Sequence, residues 1–207
     1  MRRTLLILLL SCLCGPLSAA GDGWAARHLE YGVEWGYTAT FLYSYHFNYL
    51  SESVGARIDS RDALFSYKSN GHVQAFAGIR FARRFSVDAV IGWAGVYEER
   101  RVYPVTLRGT CFFPGYDRDG WKVFAEGGLC SCASLADKPV AIAKAGFGRR
   151  LMLGTRSALD LSLSLQGVSD HPIGVYDPMR GVSVPNDNLR RSDCDYLSLN
   201  FSLALCF

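Results

Sequence analysis

The chain has no internal apolar run approaching the eighteen or more residues of a spanning helix, so a mature transmembrane helix is excluded. It also lacks a charge imbalance. Twenty-two Lys and Arg face 19 Asp and Glu, a net charge of +3 that does not argue for nucleic acid, and no basic stripe is interleaved with aromatics. A disulfide framework is missing too. Of seven cysteines, five follow Ala20, namely Cys111, Cys130, Cys132, Cys194 and Cys206, an odd number at scattered spacing. Cys130 and Cys132 share one strand face about 7 Å apart, awkward for a disulfide. Cys-x-Cys alone is a poor zinc signal, so these cysteines read as small buried residues. No phosphate-loop spacing surrounds Gly127-Gly128 or Gly146-Phe147-Gly148, which read as strand glycines. No cofactor and no metal are expected.

What is present is alternation. In the final stretch Leu197, Leu199, Phe201, Leu203, Leu205 and Phe207 fall on one side of a strand, while Ser198, Asn200, Ser202, Ala204 and Cys206 fall on the other. One face is bulky and apolar, the other small and mostly polar, as for a strand between lipid and a wet lumen. Residues 30–50 alternate at greater length: Tyr31, Val33, Trp35, Tyr37, Ala39, Phe41, Tyr43, Tyr45, Phe47 and Tyr49 share the face expected to point outward, against Glu34, Thr38, Thr40, His46 and Asn48 inward. Further strands are expected over 73–81, from 85 with Ile91, Trp93 and Tyr97 outward, over 102–113, 121–133 and 140–148, and around 159–165. Pro104 is a defect in the fourth, marking a bulge or a strand start. Residues 51–71 and 169–193 read as two long loops, 114–120 as a polar turn and 148–156 as a connection.

The count is eight. An all-β, eight-stranded antiparallel up-and-down transmembrane β-barrel is the simplest arrangement. With the N-terminus in the periplasm, the two longest loops point outward and the connections after strands two, four and six are short inner turns. Inward positions then carry Glu34, Arg80, Asp88, Arg108, Lys122, Glu126, Lys144 and Asp160, with Glu30 beside them. Acids and bases nearly balance, as in a salt-bridged plug rather than an open channel. A soluble barrel would have to bury these charges in a dry core.

Residues 1–20 read as a signal peptide: Arg2 and Arg3, an apolar stretch from Thr4 to Leu13, then Ser18-Ala19-Ala20 with small residues for cleavage. The competing reading is a lipoprotein box at Leu9-Leu10-Ser11-Cys12, with Cys12 acylated. The barrel domain would occupy 21–207.

With this signal, eight alternating segments and the terminal Leu203-Ala204-Leu205-Cys206-Phe207, the chain resembles small bacterial outer-membrane β-barrel proteins. Residues 92–107 resemble barrels of Bacteroidetes, which often carry a Pro before this strand. The excess cysteines and Pro104 depart from the pattern. The resemblance implies a monomer in the bacterial outer membrane, in contact with outer-membrane lipid and lipopolysaccharide. It also implies that the barrel-assembly machinery reads Phe201, Leu203, Leu205 and Phe207.

Function is the least legible part. The leading expectation is a structural or surface-binding barrel whose long loops carry recognition. Arg57, Arg61, Lys68, Arg180, Arg190 and Arg191 lie there and could meet lipopolysaccharide phosphates, although Asp59, Asp62, Asp177 and Asp187 are interspersed. The alternative is a lipid A-modifying enzyme, an acyl hydrolase or acyltransferase, with a rim site from His46, His72, Asp170 and His171. Their spacing matches no triad or ligand motif, and Ser169-Asp170-His171 cannot converge on one reacting atom. A soluble lipocalin-like carrier would need the reverse polarity, apolar inside.

Overall fold

Alternation over this many consecutive segments leaves each strand with one face that water disfavours, and a closed ring lets every strand satisfy its backbone on both edges. The computed structural model describes residues 28–52, 54–97, 100–132, 140–172, 176–177 and 182–207; residues 1–20, expected to be a signal peptide, lie outside them. The long strands are β1 (Leu29–Ser51), β2 (Ala56–Ala82), β3 (Phe85–Tyr97), β4 (Arg100–Phe112), β5 (Gly120–Cys132), β6 (Val140–Met152) and β7 (Ala158–Asp170). Two-residue strands β8 (Tyr176–Asp177) and β9 (Val182–Ser183) pair with each other, and β10 (Leu189–Cys206) ends the fold. The eight long strands form one closed antiparallel barrel, each beside its chain neighbour, with β10 closing onto β1.

The wall is inside out relative to a soluble protein. Ile91, Val105, Leu107, Leu129, Phe147, Leu165 and Phe201 are exposed on the outside, while Glu34, Arg108, Glu126, Lys144, Arg150 and Asp160 are buried in the bore. Pro104 sits inside β4. The β3–β4 ladder runs to Ile91–Val105 and resumes at Ala94–Val102, skipping the position where Pro104 has no N–H to donate.

Three expectations are corrected. Residues 51–71 are not a long loop: β2 begins at Ala56 and pairs with β1 back to Ser51, and a tight turn at Gly55 (φ 63°) joins the two. Both faces of this stretch are largely exposed, so no burial contrast is written into its sequence. The second long loop is likewise shorter, because β7 runs to Asp170 and β10 begins at Leu189.

The third correction concerns the aromatic run of β1. Both ladders shift register between Thr40 and Leu42: Phe41 is an extra residue against β10, while on the other side Ser66 and Tyr67 of β2 lie opposite it. A one-residue bulge exchanges the two faces of everything beyond it. Tyr43, Tyr45 and Phe47 therefore turn inward and pack on a buried cluster that includes Val96, Val102, Val140, Ile142, Cys194 and Tyr196. Tyr49 is buried against Val184. A shift between Gly95 and Tyr97 likewise brings Tyr97 inward, where it stacks on Tyr43 at 5.1 Å.

Candidate functional site

The bore is built in layers by strand parity. At the rim carrying the short turns, Arg150 is 1% exposed and donates to Glu30 (2.7 Å) and to both oxygens of Asp160 (2.8 Å each). Lys122 donates to Asp160 at 2.5 Å. Phe112 and Tyr116 lie 4.3 Å from the Arg150 guanidinium, and Arg80 stacks on Tyr116 at 3.7 Å while donating to the Leu29 carbonyl. Tyr116 comes from the 113–119 turn, so that turn folds an aromatic into the end of the bore.

One layer up, Arg108 donates to Glu34 (2.6 Å) and Glu126 (2.9 Å), and Thr106 donates to Glu126 at 2.8 Å. Lys144 lies 3.5 Å from Glu126 and donates to Gln74 at 3.0 Å. Asp88 accepts from Ser86 at 3.3 Å. Above these come Thr38, Thr40, Gln166, Ser198 and Asn200, all buried; Asn200 donates to Gln166 at 3.1 Å, and Thr40 bonds Ser198 and the Val96 carbonyl. The apolar cluster with its inward aromatics caps this layer. A charge buried here is tolerated because its partners surround it; removing one leaves the other uncompensated.

The structure thus brings Glu34, Arg108, Glu126 and Lys144 into one group and Lys122 with Asp160 into another. Arg80 and Asp88 make no ion pair with either among the described residues. Arg150, the most connected cation, is an addition to the expected network, because residues 148–156 read as a connection. The signal for it lies in the inward parity of Lys144, Gly146 and Gly148, which reaches Arg150 when continued by one step.

The four rim candidates do not converge. His72 is buried in the bore, with Nδ1 3.2 Å from the Thr38 hydroxyl and Nε2 3.5 Å from Glu34. Asp170 is buried and accepts from the His171 backbone N–H at 2.7 Å. His46, past the bulge, faces outward rather than inward and pairs with Asp59 at 2.8 Å. His171 pairs with Asp193 at 2.8 Å, and Arg191 bonds the same carboxylate. The wall separates His72 from His46, and among the described residues no His, Cys, Asp and Glu group could hold a metal.

His46 and its neighbours belong to a sheet that rises above the barrel. Among the described residues β2 has no β3 partner before His72, and β10 has no β7 partner before Cys194, so 56–71, the upper half of β1 and 189–193 stand as a three-stranded projection. Its outer face carries two rows, Asn48–Asp59–Arg191 and His46–Arg61–Asp193. The Asp59 carboxyl is held below the usual range by its bond to His46. Partial burial pushes Asp193 up, but the bonds from Arg191 and His171 outweigh it and hold it low. On the free β2 edge Phe65 is 86% and Tyr67 70% exposed. Arg180, expected from the sequence to be a loop contact for phosphate, lies outside the described residues.

No protein-family model matches the chain, and no curated protein matches it in sequence. Solved structures are similar in fold. The outer membrane protein OprG from Pseudomonas aeruginosa aligns at 12% identity and a TM-score of 0.48, covering 86% of this chain and 95% of that one. Neisserial surface protein A aligns at 9% identity and 0.42, covering 83% and 95%. The outer membrane protease OmpT from Escherichia coli aligns at 6% identity and 0.43, covering 90% and 98%. The chain is similar in overall fold to bacterial outer-membrane proteins, at identities that transfer no residue roles.

Proposed function

We propose that the chain is an outer-membrane barrel of structural or surface-binding type, with a bore closed by its own side chains and recognition carried by the projecting sheet. The observation behind this reading is the inverted polarity of a closed ring: Leu107 and Val105 outside, Arg108 and Glu126 inside. No aqueous environment favours a continuous exposed band of Leu, Val, Ile and Phe; a bilayer does. The thirteen-residue strands β3 to β7 run roughly 43 Å at the strand rise. Tilted by about 40°, as barrel strands are, they rise about 33 Å. That covers the apolar band of about 25 Å with room for interfaces.

On this reading the outward face of β10, with Phe201, Leu203 and Leu205, together with Phe207 just beyond it, is what the barrel-assembly machinery would meet, and the protein acts as a monomer. The rim-enzyme reading is weaker, because His46 and His72 lie on opposite faces of the wall. A lipocalin-like carrier is weaker still, because the bore is lined by ion pairs rather than apolar surface. The test is cell fractionation followed by electrophoresis with and without boiling. Recovery in the outer membrane with a heat-modifiable band is expected, together with no steady conductance in a planar bilayer. Recovery in the soluble fraction without detergent overturns the proposal.

A further inference from the structure

The outer wall is not uniformly smooth. Between β3, β4 and β5, toward the rim with the short turns, lies a groove of about 360 Å³, a volume in the range of small-ligand pockets. Phe81, Phe85, Val87, Gly109, Cys111 and Val123 line it. Its floor is Gly109, where an added Cβ would meet nothing within 4 Å. Register places Gly109 beside Val87 on one strand and Ala125 on the other, so the depression arises from small residues between larger ones. Phe81 and Phe85, stacked at 6.0 Å, form the wall nearest the rim.

Beyond these rings the β2–β3 turn carries Arg83 and Arg84, both exposed. The turn is pinned from the neighbouring hairpin, since the Arg84 carbonyl accepts from Phe112 N–H (2.7 Å) and the Arg83 carbonyl from Tyr116 N–H (2.9 Å). The Arg84 side chain forms no ion pair among the described residues. Along the same rim Arg83, Arg84, Arg118 and Arg149 outnumber Asp117 and Asp119, and Asp119 is engaged by the Met152 N–H. An aromatic-walled groove whose wall residue Phe85 directly follows an exposed arginine without an ion pair suits an acyl chain joined to an anion.

We infer that this groove holds one acyl chain of an anionic phospholipid from the periplasmic leaflet, with the lipid phosphate at Arg84. The inference rests on the outer-membrane reading above. It is tested on the full mature chain in detergent by native mass spectrometry, titrating phosphatidylglycerol and phosphatidylethanolamine of identical acyl chains. Wild type should retain one phosphatidylglycerol in preference to phosphatidylethanolamine. Gly109→Phe fills open space without strain, and Arg84→Glu reverses the charge; each should weaken retention about tenfold, the equivalent of one good contact. Gly167→Phe, at an equally open outward glycine on β7, should leave it unchanged. Equal retention of the two lipids, or equal retention by wild type and Gly109→Phe, overturns the inference. Recovery of the protein in the soluble fraction would sink both readings, whereas a heat-modifiable membrane band with unaltered Gly109→Phe retention sinks the groove alone.

Discussion

β1 and β2 pass through two environments, and the same pair of strands obeys opposite rules in each. Within the wall, Trp35 and Val73 face out and Glu34 and Gln74 face in. Past Phe41 the aromatics of β1 face in and His46, Asp59 and Arg61 face out, while Phe65 and Tyr67 of β2 stay exposed. Nothing in the backbone demands this reversal; both segments are ordinary antiparallel ladder. On the outer-membrane reading proposed above, the difference is the medium outside. A strand against lipid exposes apolar residues, and a strand in water exposes polar ones, so one bulge between them serves both. The projection can thus cover the mouth of the barrel with Tyr43, Tyr45 and Phe47 while presenting a charged exterior.

The comparison is broken most severely from within the bore. Arg150→Ala leaves Glu30 and Asp160 facing each other without their shared cation. A loss of about 3–5 kcal/mol is expected, read as a lower midpoint in guanidinium unfolding of the detergent-solubilised barrel. No such loss should follow an equally drastic change on the projection.

The contrast of media is sharpened by a matched pair. Leu107 is 64% exposed and Phe65 86% exposed, so a soluble-protein argument would let both accept a charge. Leu107→Arg should instead cost about 2–4 kcal/mol as a lipid-facing charge, and Phe65→Arg should stay within about 0.5 kcal/mol. Folding titrations into lipid vesicles measure both, and equal costs would refute the placement of the membrane boundary between them.

A smaller effect concerns the roof. The Tyr43 hydroxyl lies 3.5 Å from the buried Cys194 thiol. Tyr43→Ala should make Cys194 react with a maleimide roughly tenfold faster, by opening the cover over it. An unchanged rate would mean that Tyr43 is not part of the seal.

The smallest effect is electrostatic and confined to the projection. Asp59 is depressed by its bond to His46. A depressed carboxyl contributes stability above its unfolded value, 3.8, and loses it as the pH falls through the lower folded value. Hydrogen exchange at 44–62 should therefore quicken on acidification below that range, while β5 and β6 remain protected. His46→Ala should abolish the difference.

Much of the wall is legible in the sequence because a strand with an apolar outer and a polar inner face must write its alternation plainly: Leu159, Leu161, Leu163 and Leu165 against Asp160, Ser162, Ser164 and Gln166 admit one register. The inward charges follow from the same parity. Three features are not legible, each for its own reason. The projection has two largely exposed faces, so 56–71 shows no burial contrast. The bulge at Phe41 falls within an unbroken run of aromatics at odd positions, and inserting one residue changes their destination without changing the pattern. Arg150 lies in Arg149-Arg150, where two adjacent arginines resemble a turn until the strand is continued to Met152.

By itself the sequence determined strand number, wall polarity and the near balance of buried charge, because each is a sum over short-range alternation. Which cation meets which anion, which way Tyr43 faces and how far β2 rises were decided by the closed ring. Arg108 reaches Glu34 across the bore, and 74 positions apart in the chain no local pattern links them. Only closure of β10 onto β1 fixes the distance between such groups, and on the outer-membrane reading it is the boundary between lipid and water that makes a bulge at Phe41 favourable.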